Sequence, residues 1–169
     1  TVGLADPLTD AEIAEAEKLH DGLPQSLEAS IRCYGLRHFK IKIDGTVPEA
    51  ALARLKAVFA VLTREVSAGL AFTIDGNECF TSVGAFRDFW ARIVADASLS
   101  PLLRHLLFVE QPLGRAVALD PTRADLNAWS DRPPIIIDES DAECADLRRA
   151  LDLGYAGTSH KNCKGVFKG

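Results

Sequence analysis

Three apolar runs in the chain stop on a carboxylate: Ala71-Phe-Thr-Ile-Asp75, Leu106-Leu-Phe-Val-Glu110 and Ile135-Ile-Ile-Asp138. Carboxylates gathered at one place repel one another and lose hydration, which is tolerable only when a cation or protons neutralise them. Oxygen donors without His or Cys beside them favour Mg2+, whose octahedron is completed by water or substrate oxygens. Any one of these acids also fits as an N-cap or loop residue after its strand. A second kind of chemistry is carried by His38-Phe-Lys-Ile-Lys-Ile-Asp44. Lys40 and Lys42 are two apart, so on a strand they share a face. Buried there, two ammoniums are costly unless they are paired or sit in an open, polar mouth. A lysine acting as general base needs a lowered pKa, which a second cation and partial desolvation supply. The bland reading of the same pair is a solvated edge strand protected by lysines. Further on, Lys161 stands where a fifth strand should end, with Lys164 as its rival. It reads equally as an acid/base or as a solvated loop residue, because Thr158 to Asn162 is more polar than a buried strand, and His160 reads as structural.

The elements that must hold these residues alternate. Strand candidates are Phe39 to Asp44, Leu70 to Asp75, Leu106 to Glu110, Pro134 to Asp138 and, less clearly, Tyr155 to Lys161, with Val2 to Ala5 as the tail of another. Between them lie helical patterns. Thr9 with Glu12, Thr46 with Glu49 and Ser140 with Glu143 each form a Ser/Thr-x-x-Glu capping box. Leu52, Leu55, Phe59, Leu62 and Val66 line one face of a helix over 47–67, and Cys144, Leu147 and Leu151 one face of a helix over 141–153 that ends at Gly154. Segments 82–95 and 121–129 read as further helices. Alternating strands and helices predict a parallel β/α architecture, because parallel neighbours need a crossover. The charged strand ends at 42, 75, 110, 138 and 161 lie 33, 35, 28 and 23 residues apart. That spacing is close to the roughly 31 residues per unit of an eight-unit β/α barrel, in which strand C-termini converge on the active site. Five or six units cannot close such a barrel, so the fold class is α/β, an incomplete barrel.

Composition excludes several other functions. The net charge is −5 and the pI near 5.4, which leaves no electrostatic footprint for nucleic acid, and no apolar stretch nears the length of a membrane span. Cys33, Cys79, Cys144 and Cys163 never fall in a Cys-x-x-Cys pair and read as the reduced thiols of a cytoplasmic protein. The chain holds no Met and its last residues read like the middle of an element, so it is expected to be a piece of a longer polypeptide. An unrelated barrel hydrolase would require His ligands, and none of the four His, at 20, 38, 105 and 160, ends an apolar strand.

The constellation resembles the enolase superfamily, and within it the barrel of the muconate lactonizing enzyme and mandelate racemase relatives. The matching stretches are Lys40-Ile-Lys42, Asp75-Gly-Asn77-Glu78, Val109-Glu-Gln-Pro-Leu113, Ile137-Asp-Glu-Ser140 and Gly154-Tyr-Ala-Gly157 followed by Lys161. The resemblance implies that residues 1–169 form one segment, from the end of strand one to strand six of the barrel, without the N-terminal capping domain or strands seven and eight. It implies one Mg2+ held by Asp75, Glu110 and Asp138. Lys42 would be the acid/base on one face with Lys40 tuning its pKa, Lys161 the acid/base on the other, and Asn77 and Glu139 would sit behind the ligands. The implied chemistry is abstraction of a proton α to a carboxylate through an enediolate, as in racemases and epimerases, acid-sugar dehydratases and cycloisomerases. The expected protein is therefore a lyase or isomerase acting on a small-molecule carboxylate, a homo-oligomer when complete. The rival expectation is a non-catalytic relative that keeps the barrel as a metal- or ligand-binding scaffold.

Overall fold

A computed structural model describes residues 1–159. Its five strands are β1 (His38–Lys42), β2 (Ala71–Asp75), β3 (Leu106–Glu110), β4 (Ile135–Ile137) and β5 (Gly157–Thr158). All pair in parallel, in the order β1-β2-β3-β4-β5, so each strand lies beside its neighbour in sequence. The helices are α1 (Leu27–Tyr34), α2 (Pro48–Glu65), α3 (Val83–Ala95), α4 (Arg115–Ala118) and α5 (Asp146–Asp152). The fold is α/β, an open section of a barrel wall. Val2 extends the sheet beyond β1 through a parallel bridge to Ile41, made by Val2 N–H donating to Lys40 O and Lys42 N–H to Val2 O. No helix among the described residues is long and apolar enough to cross a membrane.

The two faces of the sheet do different work. Phe39 and Ile41 of β1 and Phe72 and Ile74 of β2 are buried against the helices. The ring of Phe72 meets Phe59 of α2 edge-on, 5.0 Å between centroids. α2 begins with Pro48, whose fixed φ suits a first helical turn, and buries Ala51, Leu55, Val58, Phe59 and Leu62 in one stripe. α3 starts at Ser82, whose hydroxyl accepts the Ala85 N–H at 3.1 Å, and buries Phe86, Phe89, Trp90 and Ile93. The alternation that buries these residues turns Lys40, Lys42, Thr73 and Asp75 to the opposite face, which in a barrel is the interior.

Several local expectations give way to longer-range bonds. Thr46 does not cap α2: its N–H and hydroxyl both bind Asp44 Oδ1, and the helix starts after Val47. Ser140 bonds Gln111 instead of opening a helix, and α5 begins six residues later, after Ala145. Thr9 and Glu12 do bond each other, within a single 3-10 turn (Asp10–Glu12) and not an α-helix. Segment 121–129 folds as successive turns, with Asp120 holding Thr122 and Asp125 holding Asn127. The inward face of α5 also differs from the expected one: Cys144, Leu147 and Leu151 are exposed, while Asp146, Ala150 and Leu153 are buried. Gly154, at φ +93°, ends the helix where expected.

That face makes a direct prediction. Leu153→Ala should cost about 2–4 kcal/mol and Leu151→Ala about 0.5 kcal/mol or less, measured by urea unfolding. A second prediction concerns acid stability. Glu65 closes α2 onto α1 through Arg32, which grips both of its carboxylate oxygens at 2.6 and 2.7 Å, and it also accepts from Arg64 of its own helix at 2.7 Å. The Arg32 and Arg64 hydrogen bonds hold its carboxyl down at about 2, against an ordinary 4.5. A carboxyl whose pKa is lowered on folding stabilises the protein above its unfolded pKa and loses that contribution as pH falls through the folded one. The stability gap between wild type and Glu65→Gln should therefore be full above pH 4.5 and close as pH falls toward 2, measured by denaturation at stepped pH.

Candidate functional site

The C-terminal ends of three adjacent strands bring three acids into a row. Asp75 closes β2 and stands in register with Glu110, which closes β3, while Asp138 follows the last residue of β4. Their relative exposures are 2%, 3% and 3%. Such burial of acidic groups is tolerated only with pairing. Lys40 supplies part of it from the neighbouring strand: its Nζ lies 2.8 Å from Asp75 Oδ2 and 2.7 Å from Glu110 Oε2. Asp75 Oδ1 accepts the Asn77 N–H at 3.0 Å, in a tight turn where Asn77 and Glu78 both adopt positive φ.

Glu110 is the electrostatic centre of the row. Its Oε1 is buried with no hydrogen-bond partner among the described residues. Burial pushes its carboxyl up, the Lys40 ammonium works against that, and the charge of Asp75 and a side-chain hydrogen bond with Asp138 add to the rise. For Lys40, burial acts to lower the ammonium's pKa, but hydrogen bonds to Asp75 and Glu110 outweigh it and leave the pKa raised. Lys40 is thus a fixed cation at neutral pH. Lys42 is half-buried on the same face, paired in register with Asp75, and makes no ion pair among the described residues. Lys161, Lys164 and His160 lie outside the described residues.

The residues fit a hard divalent cation by donor chemistry and by one orphaned oxygen. Three carboxylates and one ammonium leave an excess of two negative charges, and Glu110 Oε1 lacks a donor. No group of three or more His, Cys, Asp or Glu side chains among the described residues is arranged to hold a metal ion as it stands. At two of the three acids an oxygen is already taken by Lys40. Elsewhere, burial pushes the Cys79 thiol up to about 11, which makes it a poor nucleophile. A hollow of about 720 Å3 lined by residues between Asp10 and Cys33 shares no residue with the carboxylate row.

The loops behind the row are built with little slack. Gly76 N–H donates to Glu110 O at 2.9 Å, and a Cβ at residue 76 would stand 2.7 Å from Pro112 Cα. Arg115 grips both carboxylate oxygens of Glu78 and donates its own N–H to Glu78 Oε2 at 2.9 Å, tying α4 to the turn after β2. Glu139, expected behind the ligands, has a buried Oε2 with no hydrogen-bond partner among the described residues. Gln111 and Ser140 were legible only as parts of motifs. Gln111, 1% exposed, proves to be the most connected polar side chain at the site.

A parallel β/α wall whose strands follow one another in sequence order defines the class as an open section of a β/α barrel. No family model and no curated relative matches the sequence significantly. Solved structures do match. Muconate lactonizing enzyme from M. smegmatis is similar at 23% identity and a TM-score of 0.60, over 83% of this chain and 36% of that one. Dipeptide epimerase from Enterococcus faecalis is similar at 22% and 0.58, over 84% of this chain and 37% of that one. N-succinyl Arg/Lys racemase from Bacillus cereus is similar at 22% and 0.54, over 73% and 29%. The likenesses to these three proteins show the fold, and it is the one the sequence resemblance implied. The chain spans about a third of their length.

The close approach at Gly76 gives a test of the loop geometry. Gly76→Ala should cost about 1–3 kcal/mol, because the contact is with main chain that cannot rotate away; urea unfolding reads it. The exposed Gly22→Ala is not a suitable control, since its positive φ of 80° strains any side chain.

Proposed function

We propose that the chain is the metal-binding part of an Mg2+-dependent lyase or isomerase that removes a proton α to a substrate carboxylate. The observation that carries this reading is the row of three buried acids on consecutive strand ends, with two lysines of the adjacent strand on the same face. Asp75, Glu110 and Asp138 would hold the Mg2+, which supplies a Lewis acid for the substrate carboxylate. Lys42 is the base: it lies beside the row and makes no ion pair among the described residues, whereas Lys40 is committed to Asp75 and Glu110. Lys40 keeps positive charge at the carboxylate end of the substrate. Lys161 is proposed as the acid/base of the opposite face. Racemisation or epimerisation, dehydration of an acid sugar and cycloisomerisation all begin with this proton removal. The solved relatives in fold support the reaction class through their names: a lactonizing enzyme, an epimerase and a racemase. The same site without turnover would be a metal- or ligand-binding scaffold.

The deciding experiment is solvent deuterium incorporation at the α-carbon across a library of small carboxylates with Mg2+ present. Exchange is expected for at least one acid, and Lys42→Ala should slow it by roughly 100-fold or more, the usual contribution of a positioned base. No exchange with any acid while Mg2+ binds points to the scaffold, and exchange undiminished in Lys42→Ala removes Lys42 from the chemistry.

A further inference from the structure

We infer that Gln111 is a positioning residue that sets the spacing of the three carboxylates, an inference that rests on the metal-binding reading above. Gln111 follows Glu110 directly and adopts φ +36°, a left-handed conformation that a side chain other than Gly takes only when its surroundings hold it. The reason lies in the sheet. Gln111 N–H donates to Ile136 O at 2.8 Å, the last regular bond between β3 and β4. In a parallel ladder the next bond would run from the Asp138 N–H to the main-chain carbonyl of Gln111. Instead the turn at Gln111 swings that carbonyl to the other side, where it accepts the Glu78 N–H at 2.9 Å from the loop after β2.

The side chain takes over the missing rung. Gln111 Oε1 accepts the Asp138 N–H at 2.7 Å and the Ser140 N–H at 3.2 Å. Its Nε2 donates to Leu113 O and to Ser140 Oγ, both at 2.7 Å. Every hydrogen-bonding group of the side-chain amide is engaged, and the residue is 1% exposed. One residue therefore joins the loop after β2, the end of β3 and the start of the loop after β4, the three places from which Asp75, Glu110 and Asp138 project. Side chains that orient metal ligands from behind typically change metal affinity 10- to 100-fold when removed. Gln111 acts through the backbone of Asp138 and through the loop that follows Asp75, without touching a bound ion.

The test measures Mn2+ affinity by calorimetry on the full chain, Mn2+ serving as the probe because it takes the same oxygen ligands as Mg2+. Gln111→Met keeps the length of the side chain and removes its amide. It should bind Mn2+ at least 10-fold more weakly than wild type, at a temperature where circular dichroism shows both folded. Leu55→Ala, a buried change on α2 away from the strand ends, should lower stability and leave affinity within about twofold. Gln111→Glu, which keeps an acceptor for both amides, should recover part of the affinity. If Gln111→Met does not fold, Gln111→Asn takes its place; it retains the amide but withdraws it from Asp138 N–H, and the same loss is expected. Wild-type affinity in whichever variant folds, or an equal loss in Leu55→Ala, overturns the positioning role alone. A wild-type protein that binds no Mn2+ overturns the metal reading as well.

Discussion

Three carboxylates side by side in a buried row are the constraint on which this end of the molecule depends. Asp75, Glu110 and Asp138 are each nearly inaccessible, and a charge in that position is stable only when opposite charge and hydrogen bonds replace the water it gave up. Lys40 bridges two of them from β1, and the Asn77 amide serves a third oxygen. Glu110 remains pushed up by burial and by its acidic neighbours, with one oxygen unserved. A protein selected only for stability would do as well with apolar residues at these strand ends. Under the proposed function, the charge that Lys40 leaves unbalanced at these acids is met by the bound cation.

The strand ends that carry Lys42, Asp75 and Glu110 were readable in the sequence because their signal is strong and local. An apolar run that stops on a charge marks both the burial of a strand and the place where burial ends, and Leu106–Glu110 has the same bounds in the structure as in the sequence reading. Two of the capping boxes failed for the converse reason. Thr46 and Ser140 carry hydroxyls that can bond wherever a partner stands, and Asp44 and Gln111 reach them first. The segment around Ala124, Leu126 and Trp129 misled in another way. Its apolar residues are indeed buried, but Asp120 and Asp125 fold the chain into turns about them. Periodicity reports which residues are inside. It does not report by what backbone path they get there.

The feature least visible in the sequence is the one that decides whether the acids meet at all. Phe72 pairs with Leu106, but Thr73 pairs with Phe108, so β3 carries one extra residue, the exposed Leu107. A slip of one residue sends every later side chain to the opposite face of a strand. Continued from the Phe72 and Leu106 pair without the bulge, the register would set Val109 opposite Asp75 and turn Glu110 toward the helices. With the bulge, Val109 faces the helices and Glu110 stands opposite Asp75. The same strand then ends in the left-handed turn of Gln111, which redirects the main chain toward β2 and leaves the side chain to hold β4. Two local departures from regular β structure, five residues of strand apart at most, thus place the central acid and fix its neighbours. Both show only in the pairing of distant segments: the bulge in the register of β3 on β2, and the turn in bonds to residues 27 and 29 positions away. No pattern of residue types within β3 itself could have announced either.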